Sequence, residues 1–515
     1  MIGEFSEVED GALLDADLCI VGSGAAGITL ARTFIGTSVQ VLLVAGSFAG
    51  RDYIPLDVVR LRFFGGTTNH WGGWCTTLTP IDFARRDWVP HSGWPIGPEA
   101  LEPHYPETQD ILQLGAFGYD GETWRRRGMH TPYPLDPQAV DWHFWQISAP
   151  TRFGQRYRAA LNAADNVRVL LHANVTGLRT DPAGAAVNHI DLASLDGRRA
   201  RVRARAYVLA AGGLENPRLL LLSTDADRRG LGNRHDTVGR FFGEHMHARP
   251  AQLLTGDPIA VAEAMQTFHY RGHEIITGLC PSAALQRRLR ILNNSMTLII
   301  RGNEDSVFFH AWQIARGIRE GRIPDRFGDR LLRLATDFDT LAGGAYRRFL
   351  LDAPWPEGEQ RIADFGFFIR CEQAPNPDSR VFLGEERDAL GLPRPVLDWR
   401  LTEFDKRSVR EFCIALGNAF GAVGGGRVRL AEWLLDDSDD WGDSFGGSHH
   451  VGTTRMSADP RDGVVDADCR VHGMDNLYIA GSSVYPTGGF AHPTYTIVAL
   501  SLRLAYHLKE RLDAA

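Results

Sequence analysis

A chain of 515 residues is long enough for two or three domains and can enclose a large ligand. Its 44% hydrophobic and 23% charged residues are an ordinary globular composition, and a formal net charge of −8 argues against nucleic acid as a default partner. Six scattered cysteines with no CxxC pair argue against a disulfide framework or a zinc site; no apolar run approaches the roughly 20 residues that cross a bilayer, and no basic stretch precedes an apolar one at the N-terminus, so the expectation is a soluble, cytoplasmic protein without metal or membrane partner.

In chain order, DADLCIV at 15–21 predicts a buried strand, and Gly22-Ser23-Gly24-Ala25-Ala26-Gly27 follows at once, running into the helical ITLARTF. This is a GxGxxG fingerprint in its required setting of strand, tight turn and helix start. Gly22 permits the turn, Gly24 admits a pyrophosphate to the backbone, and Gly27 lets helix and strand approach closely; the exposed N–H groups and positive helix end hold phosphates. VQVLLV at 39–44 completes a βαβ unit, predicting an α/β, Rossmann-like nucleotide domain. An acidic residue should end that strand and meet the ribose, but Val44 stands there. Ser47, a backbone group, or Asp52 from the next loop is then left to make the contact.

RFFGGTTNHWGGWC at 62–75 carries glycine pairs on both sides of Asn69-His70-Trp71, which lets a backbone run flat against a planar ligand. After a dinucleotide fingerprint, this loop resembles the one that passes the isoalloxazine in the glucose–methanol–choline (GMC) flavin oxidoreductases. Its His-Trp pair is similar to that of the pyranose oxidase and glycoside 3-oxidase branch, as is SGWPIGPEALEPHY at 92–105. The resemblance implies FAD as cofactor, with Gly66, Thr67, Asn69, His70, Trp71 and Gly72 beside the flavin. It implies that His70 either bonds covalently to the flavin methyl or packs beside it without a bond.

NVRVLLHANVTGL at 166–178 predicts two strands, and the resemblance places Asn174 and Val175 against the adenine. ARAYVLAAGGLENPRLLLLS at 204–223 matches the family's return to the nucleotide domain, with Gly212 at the cofactor. The most specific match is SHHVGTTRM at 448–456, followed by NLYIAGSSVYPTGGFAHPTYT from 476. The family pattern selects His449 rather than its neighbour His450, and it selects His492, directly before Pro493 and Thr494, as the catalytic pair. It also brings Gly481 and Ser482 to the flavin diphosphate. Chemically, a histidine titrating near neutrality suits removal of an alcohol proton, and a second polar group can steady the oxygen. His449 is therefore read as base and His492 as its partner; His245 and His247 in GRFFGEHMH are read as structural or substrate-adjacent.

The resemblance implies a discontinuous FAD-binding domain (1–105, 165–245 and 445–515) and a substrate-binding domain (106–164 and 246–444) built on an antiparallel sheet. Alternation and turn signals in 362–401 predict that sheet, with Cys371, Glu372 and Gln373 as buried sheet polars or substrate contacts. Residues 303–352 predict a helical arm, a surface feature, a lid or an oligomer contact. The aspartates of DDSDDWGDSF at 436–445 read as a solvated loop, or as an attraction for a cationic substrate. The expected reaction is oxidation of a sugar or glycoside hydroxyl to a carbonyl, with C3 of the ring as a first candidate and oxygen or a quinone as electron acceptor. Alternatives are an aminoglycoside or other polyol hydroxyl, and a hydroxynitrile lyase that keeps FAD without net redox. A homo-oligomer is left open.

Overall fold

The computed structural model describes residues 1–46, 61–149, 151–302, 306–319, 323–350 and 362–513. Two large sheets organise them. The first runs, in spatial order, Ile2–Glu4, Val167–Leu171, Val41–Ala45, Ala12–Val21, Arg199–Leu209, Val187–Ala193 and Asn174–Thr180. Its first five strands are parallel, and Leu477–Ile479 joins them in parallel beside Arg199–Leu209. The last two strands turn antiparallel. A parallel strand is covered on both faces and needs apolar side chains on both, which is why 18–21 and 41–45 are buried without interruption. Helices Ala25–Thr33 and Pro493–Asp513 pack on one another over this sheet. The architecture is the α/β, Rossmann-like one that the fingerprint implied.

The turn between Ala12–Val21 and Ala25–Thr33 depends on its glycines. Gly22 has φ +107°, and a Cβ there would stand 2.5 Å from the Ala210 carbonyl oxygen; a Cβ on Gly27 would overlap the carbonyl oxygen of Gly22. A Cβ on Gly24 would meet nothing within 4 Å, so the helix start faces open space there.

The second sheet is antiparallel: Arg427–Leu430, Met246–Leu254, Ile362–Cys371, Ser295–Gly302, His273–Pro281, Val140–Ile147 and Trp74–Cys75. Alternation divides its faces. Met246, Ala248, Phe365, Phe367, Ile369 and Cys371 point into a core with Val409, Phe412, Leu416 and Phe420. These last four lie on helix Glu403–Ala422, which starts at a capping box of Thr402 and Asp405. The residues between, His247, Phe368 and Arg370, therefore point to the opposite face, toward the first sheet.

Three pieces of chain depart from a simple division by sequence. Trp74–Cys75 and Phe445–Gly446, from stretches read as nucleotide-side, pair into the second sheet. Arg380–Arg387 and Pro393–Asp398, expected in the substrate sheet, form a separate hairpin against helix Gly212–Leu222. There Val381 and Leu397 bury against Leu214 and Phe242, and Arg218 meets Asp388 at 2.5 Å. A guanidinium that deep needs carboxylates, and Asp388 of the hairpin joins Glu215 of the same helix, 3.3 Å away, in pairing with it.

The region of 303–352 is helical over Val307–Arg319, Phe327–Thr336 and Phe338–Leu350. No helix among the described residues is long and apolar enough to cross a membrane. All six cysteines are buried and unbridged, and no metal-holding cluster occurs among the described residues.

Candidate active site

A cavity of about 480 Å³, within the usual range of ligand pockets, is walled by residues of both sheets. Its first end is mostly backbone. Gly22, Gly24, Ala25 and Ala26 form one wall at the helix start, and Asn174, Val175 and Gly212 form another. Gly66, Thr67, His70, Trp71 and Gly72 cross the middle. Gly481, Ser482, Pro493 and Thr494 complete it at the N-terminus of helix Pro493–Asp513. Two of the expected cofactor residues stand behind the wall instead. Gly27 serves the helix–strand approach, and the Asn69 amide donates to the carbonyls of Phe64 and Gly66, at 3.0 Å each, so it shapes the loop. Ser47 and Asp52 lie outside the described residues, so the ribose contact is not assigned.

This wall fits FAD. Backbone N–H groups at a helix start, with open space where a Gly24 Cβ would stand, suit the diphosphate. Asn174 and Val175 would hold the adenosine end, and the 66–72 loop would hold the flavin.

The other end is made of side chains. His449 and His492 face each other with ring centroids 4.8 Å apart. Both line the cavity, as do Trp74 and His247. His450 also reaches the wall but turns its ring to Glu244, with Nε2 to Oε2 at 3.3 Å. The structure thus brings 449, not 450, to His492.

Glu244 organises this region. Its buried carboxylate accepts the backbone N–H groups of His245 (2.8 Å) and His449 (2.6 Å), which pins both residues. Its own N–H donates to Gln373 Oε1 at 3.1 Å, and that oxygen also accepts from Trp399. Gln373 is therefore a support for the site from one residue behind it, while Glu372 belongs to a buried pair with Arg86. His245 Nδ1 lies 3.1 Å from His449 Nδ1, so one ring must donate there and the other accept. The Nε2 edge of His245 is next to the backbone of Gly488 and is buried without a hydrogen-bond partner. In the tautomer where His449 Nδ1 donates and His245 Nδ1 accepts, His449 Nε2 keeps a free lone pair.

Burial keeps these rings neutral. It is the main cause that holds His449 well below the ordinary value of 6.5, followed by His492, His245, His247 and Arg370. His492 is held well below 6.5 by burial and then Arg370. The same causes bring His245 down to about 4 and His247 to about 3. A neutral imidazole at neutral pH is the form that can take a proton.

Arg370 is 5% exposed and directly opposite His247 on the neighbouring strand. Its guanidinium lies 4.2 Å from the centre of the Trp74 ring, with Trp145 and Phe368 further round. Such ring contacts return about 2 kcal/mol when desolvated, against a penalty of several kcal/mol for each buried ion. Burial accordingly pulls its pKa down to about 10, and it stays charged at neutral pH.

Sequence reasoning underrated Glu244 and missed Trp74 and Arg370. The EHMH run at 244–247 was a usable signal for the first. Trp74 ends the glycine loop, and Arg370 sits at an off-core position of an alternating strand; no local pattern says what either one meets.

A nucleotide cradle that ends at a set of neutral histidines defines a dinucleotide-dependent oxidoreductase. Residues 375–501 match the family model described as GMC oxidoreductase. The chain is 24% identical over 495 residues to the fructose dehydrogenase large subunit of Gluconobacter japonicus, covering 86% of this chain and 80% of that one. It is 25% identical over 574 residues to 6'''-hydroxyparomomycin C oxidase of Streptomyces lividus, covering 97% and 92%. A C-glycoside 3-oxidase of Arthrobacter globiformis is 33% identical over 162 residues, covering 30% of this chain and 28% of that one. The fold is shared with a fungal aryl-alcohol oxidase at a TM-score of 0.57 and 17% identity, covering 98% of this chain and 100% of the other. Residues 375–501 thus carry a GMC oxidoreductase C-terminal domain, and the chain is an FAD-dependent oxidoreductase that acts on alcohol groups.

Proposed function

We propose that this protein oxidises a hydroxyl of a sugar or glycoside to a carbonyl, with His449 as base and His492 as the group that holds the reacting oxygen. The observation that carries the proposal is the pair itself: two neutral imidazoles 4.8 Å apart, in the same wall as the glycine-lined cradle. When bound, FAD supplies the hydride acceptor. The chain's own residues manage the proton. His449 Nε2 takes it from the hydroxyl, while its Nδ1–H remains bonded to His245, which keeps the ring oriented. His492 presents a ring N–H to the same oxygen and stabilises the charge that develops there. Trp74, 5.4 Å from His492 and tilted against it, fixes the second ring in place.

Relatives named for fructose, paromomycin derivatives and C-glycosides support a carbohydrate hydroxyl, and the C-glycoside 3-oxidase match makes ring C3 the position to test first. The full-length likeness to a 6'''-hydroxyparomomycin C oxidase favours a second reading, an aminoglycoside. The charge on Arg370 opposes it, because an ammonium group beside that guanidinium is repelled.

The test is anaerobic addition of a panel of sugars, glycosides and aminoglycosides to the yellow enzyme, with the oxidised position read from the product. Bleaching by a carbohydrate supports the proposal. Turnover without bleaching by any substrate overturns it in favour of a lyase. Reoxidation in air or by a quinone then identifies the acceptor. Acid precipitation decides the state of His70: colour in the pellet means a covalent bond, and colour in the supernatant means a ring packed beside the flavin.

A further inference from the structure

We propose that His247 is a specificity-determining residue of the substrate site: its ring holds a second hydroxyl of the substrate, on the carbon next to the one oxidised, so that the enzyme selects vicinal diols. This rests on the alcohol chemistry given above to His449 and His492, and it says which alcohols that pair receives. Among the histidines at the side-chain end of the cavity, His449 is bonded to His245, and His450 meets Glu244. His247 and His492 line the same cavity, and neither makes a hydrogen bond to another described residue. Each has one nitrogen enclosed without a partner, Nε2 in His247 and Nδ1 in His492, and the other nitrogen of each ring is not enclosed. The open nitrogen of His492 serves the reacting oxygen. His247 repeats that arrangement with its Nδ1, and the proton and hydride steps leave this nitrogen unused.

The surroundings of His247 set what it can bind. Strand alternation turns it away from the core that takes its neighbours Met246 and Ala248. Phe368 and Phe445 flank its ring, with centroids at 5.2 and 5.4 Å. Its centroid is 5.8 Å from that of His449, and only a glycine stands beside both rings. A Cβ on Gly447 would lie 2.7 Å from His247 Nε2 and 3.0 Å from His449 Nδ1, so the lack of a side chain there lets the two rings share one wall. Oxygens at hydrogen-bond length from two such rings, about 2.8 Å each, can be as close as hydroxyls on neighbouring carbons. Burial and then the Arg370 charge hold His247 down to about 3, so the ring is neutral at neutral pH. A neutral imidazole nitrogen donates in one tautomer and accepts in the other. A hydroxyl answers both, whereas a carboxylate or an ammonium answers only one. The ring is therefore matched to a neutral polyol.

The experiment follows anaerobic bleaching of the holoenzyme by stopped flow, as rate per substrate concentration, for wild type, His247→Leu and His247→Gln, with flavin content checked first. The probes are trans-1,2-cyclohexanediol against cyclohexanol, and glucose against 2-deoxyglucose and 4-deoxyglucose. In wild type the diol should exceed cyclohexanol, and glucose one of its two deoxy forms, by about ten-fold or more, the effect of a hydrogen bond that a built site is left without. His247→Leu should bring that ratio close to one, and His247→Gln, whose amide still donates and accepts, should retain part of it. A wild type without preference for the diol overturns the proposal, and this comparison stands even if a variant fails to fold. So does a His247→Leu that slows diol and mono-alcohol by the same factor, because the ring would then act through His449 rather than on the substrate. Bleaching by glucose and both deoxy forms at equal rates removes this proposal alone. A diol preference with no response to any sugar keeps it and removes the carbohydrate reading, and no bleaching by any alcohol removes both.

Discussion

The two ends of the cavity are built by different means. At the nucleotide end, contiguous residues 22–26 offer backbone, and the glycine next to them exists to let a helix and a strand touch. At the histidine end, Trp74, His247, His449 and His492 arrive from separate segments between residues 74 and 492, and only their side chains matter. The first end should fail when atoms are added, and the second when functional groups are removed. That contrast tells an experimenter which substitutions report on folding and which report on chemistry.

The largest expected effect is at Gly27. Any Cβ there overlaps the Gly22 carbonyl oxygen, and backbone does not yield as a flexible side chain would. Gly27→Val should give protein that is colourless or insoluble. Gly24→Ala, where the space is open, should keep the fold and lose flavin. Flavin-to-protein absorbance ratio and Tm, measured on both, separate the two cases. A yellow Gly27→Val with unchanged Tm would break the comparison at its first term.

At the other end, His449→Ala should leave flavin content and Tm near wild type while slowing anaerobic flavin reduction by about 10²–10⁴-fold, the span of general base catalysis. His492→Asn should be milder than His492→Ala, because an amide still donates to the oxygen. His450→Ala, which loosens Glu244 and not the reacting pair, should be milder than His449→Ala. Stopped-flow reduction of the four variants checks the ranking, and an inactive His450→Ala beside an active His449→Ala would reverse the roles assigned here.

A smaller effect sharpens the same comparison. His245→Asn keeps an acceptor near the Nδ1 position and should retain most of the reduction rate, whereas His245→Leu should lose about ten-fold or more, the usual value of a hydrogen bond to a charged group. The wild-type rate should be flat through neutral pH and fall only well below 6.5, since His449 is held well below that value.

Stability has the same sign. The histidines with lowered pKa contribute stability that is complete above 6.5 and is lost as pH falls, for His245 between 6.5 and about 4. Buried Asp82 and Asp405, raised to about 6 chiefly by desolvation, act oppositely: their contribution is complete below 3.8 and is lost as pH rises through about 6. With more histidines than carboxylates involved, Tm should decline on acidification from 6.5 toward 4. A Tm that rises over that range would remove the claim that the rings are buried neutral. Smallest of all, Asp15→Asn should shift stability by less than about 1 kcal/mol, because its pair with Arg203 is mostly exposed on both sides.

Much of this was readable before any coordinates. The strand, turn and helix of 15–33 and the two strands of 166–178 followed from local pattern, and the structure places each of them accordingly. The aspartate run at 436–440 reads as a charged loop, and it is one tied down from below: the buried Lys406 donates to the carbonyls of Ser438 and Asp440. The hairpin of 380–398 was assigned to the wrong sheet, since alternation reveals a strand but not its neighbour; it packs Val381 and Leu397 against Leu214 and Phe242, and its Asp388 meets Arg218.

By itself, then, the amino-acid sequence determined the nucleotide end, because a phosphate cradle is a property of consecutive backbone: glycine at three spacings produces the turn, the opening and the close approach wherever the chain goes. The histidine end was decided by tertiary structure. That Glu244 pins two histidines, that His245 Nδ1 meets His449 Nδ1, and that Arg370 is a cation without a described carboxylate partner are facts about side chains far apart in sequence. Their chemistry comes from desolvation and from charges a few ångströms away, and both depend on what the fold brings near rather than on what stands next along the chain.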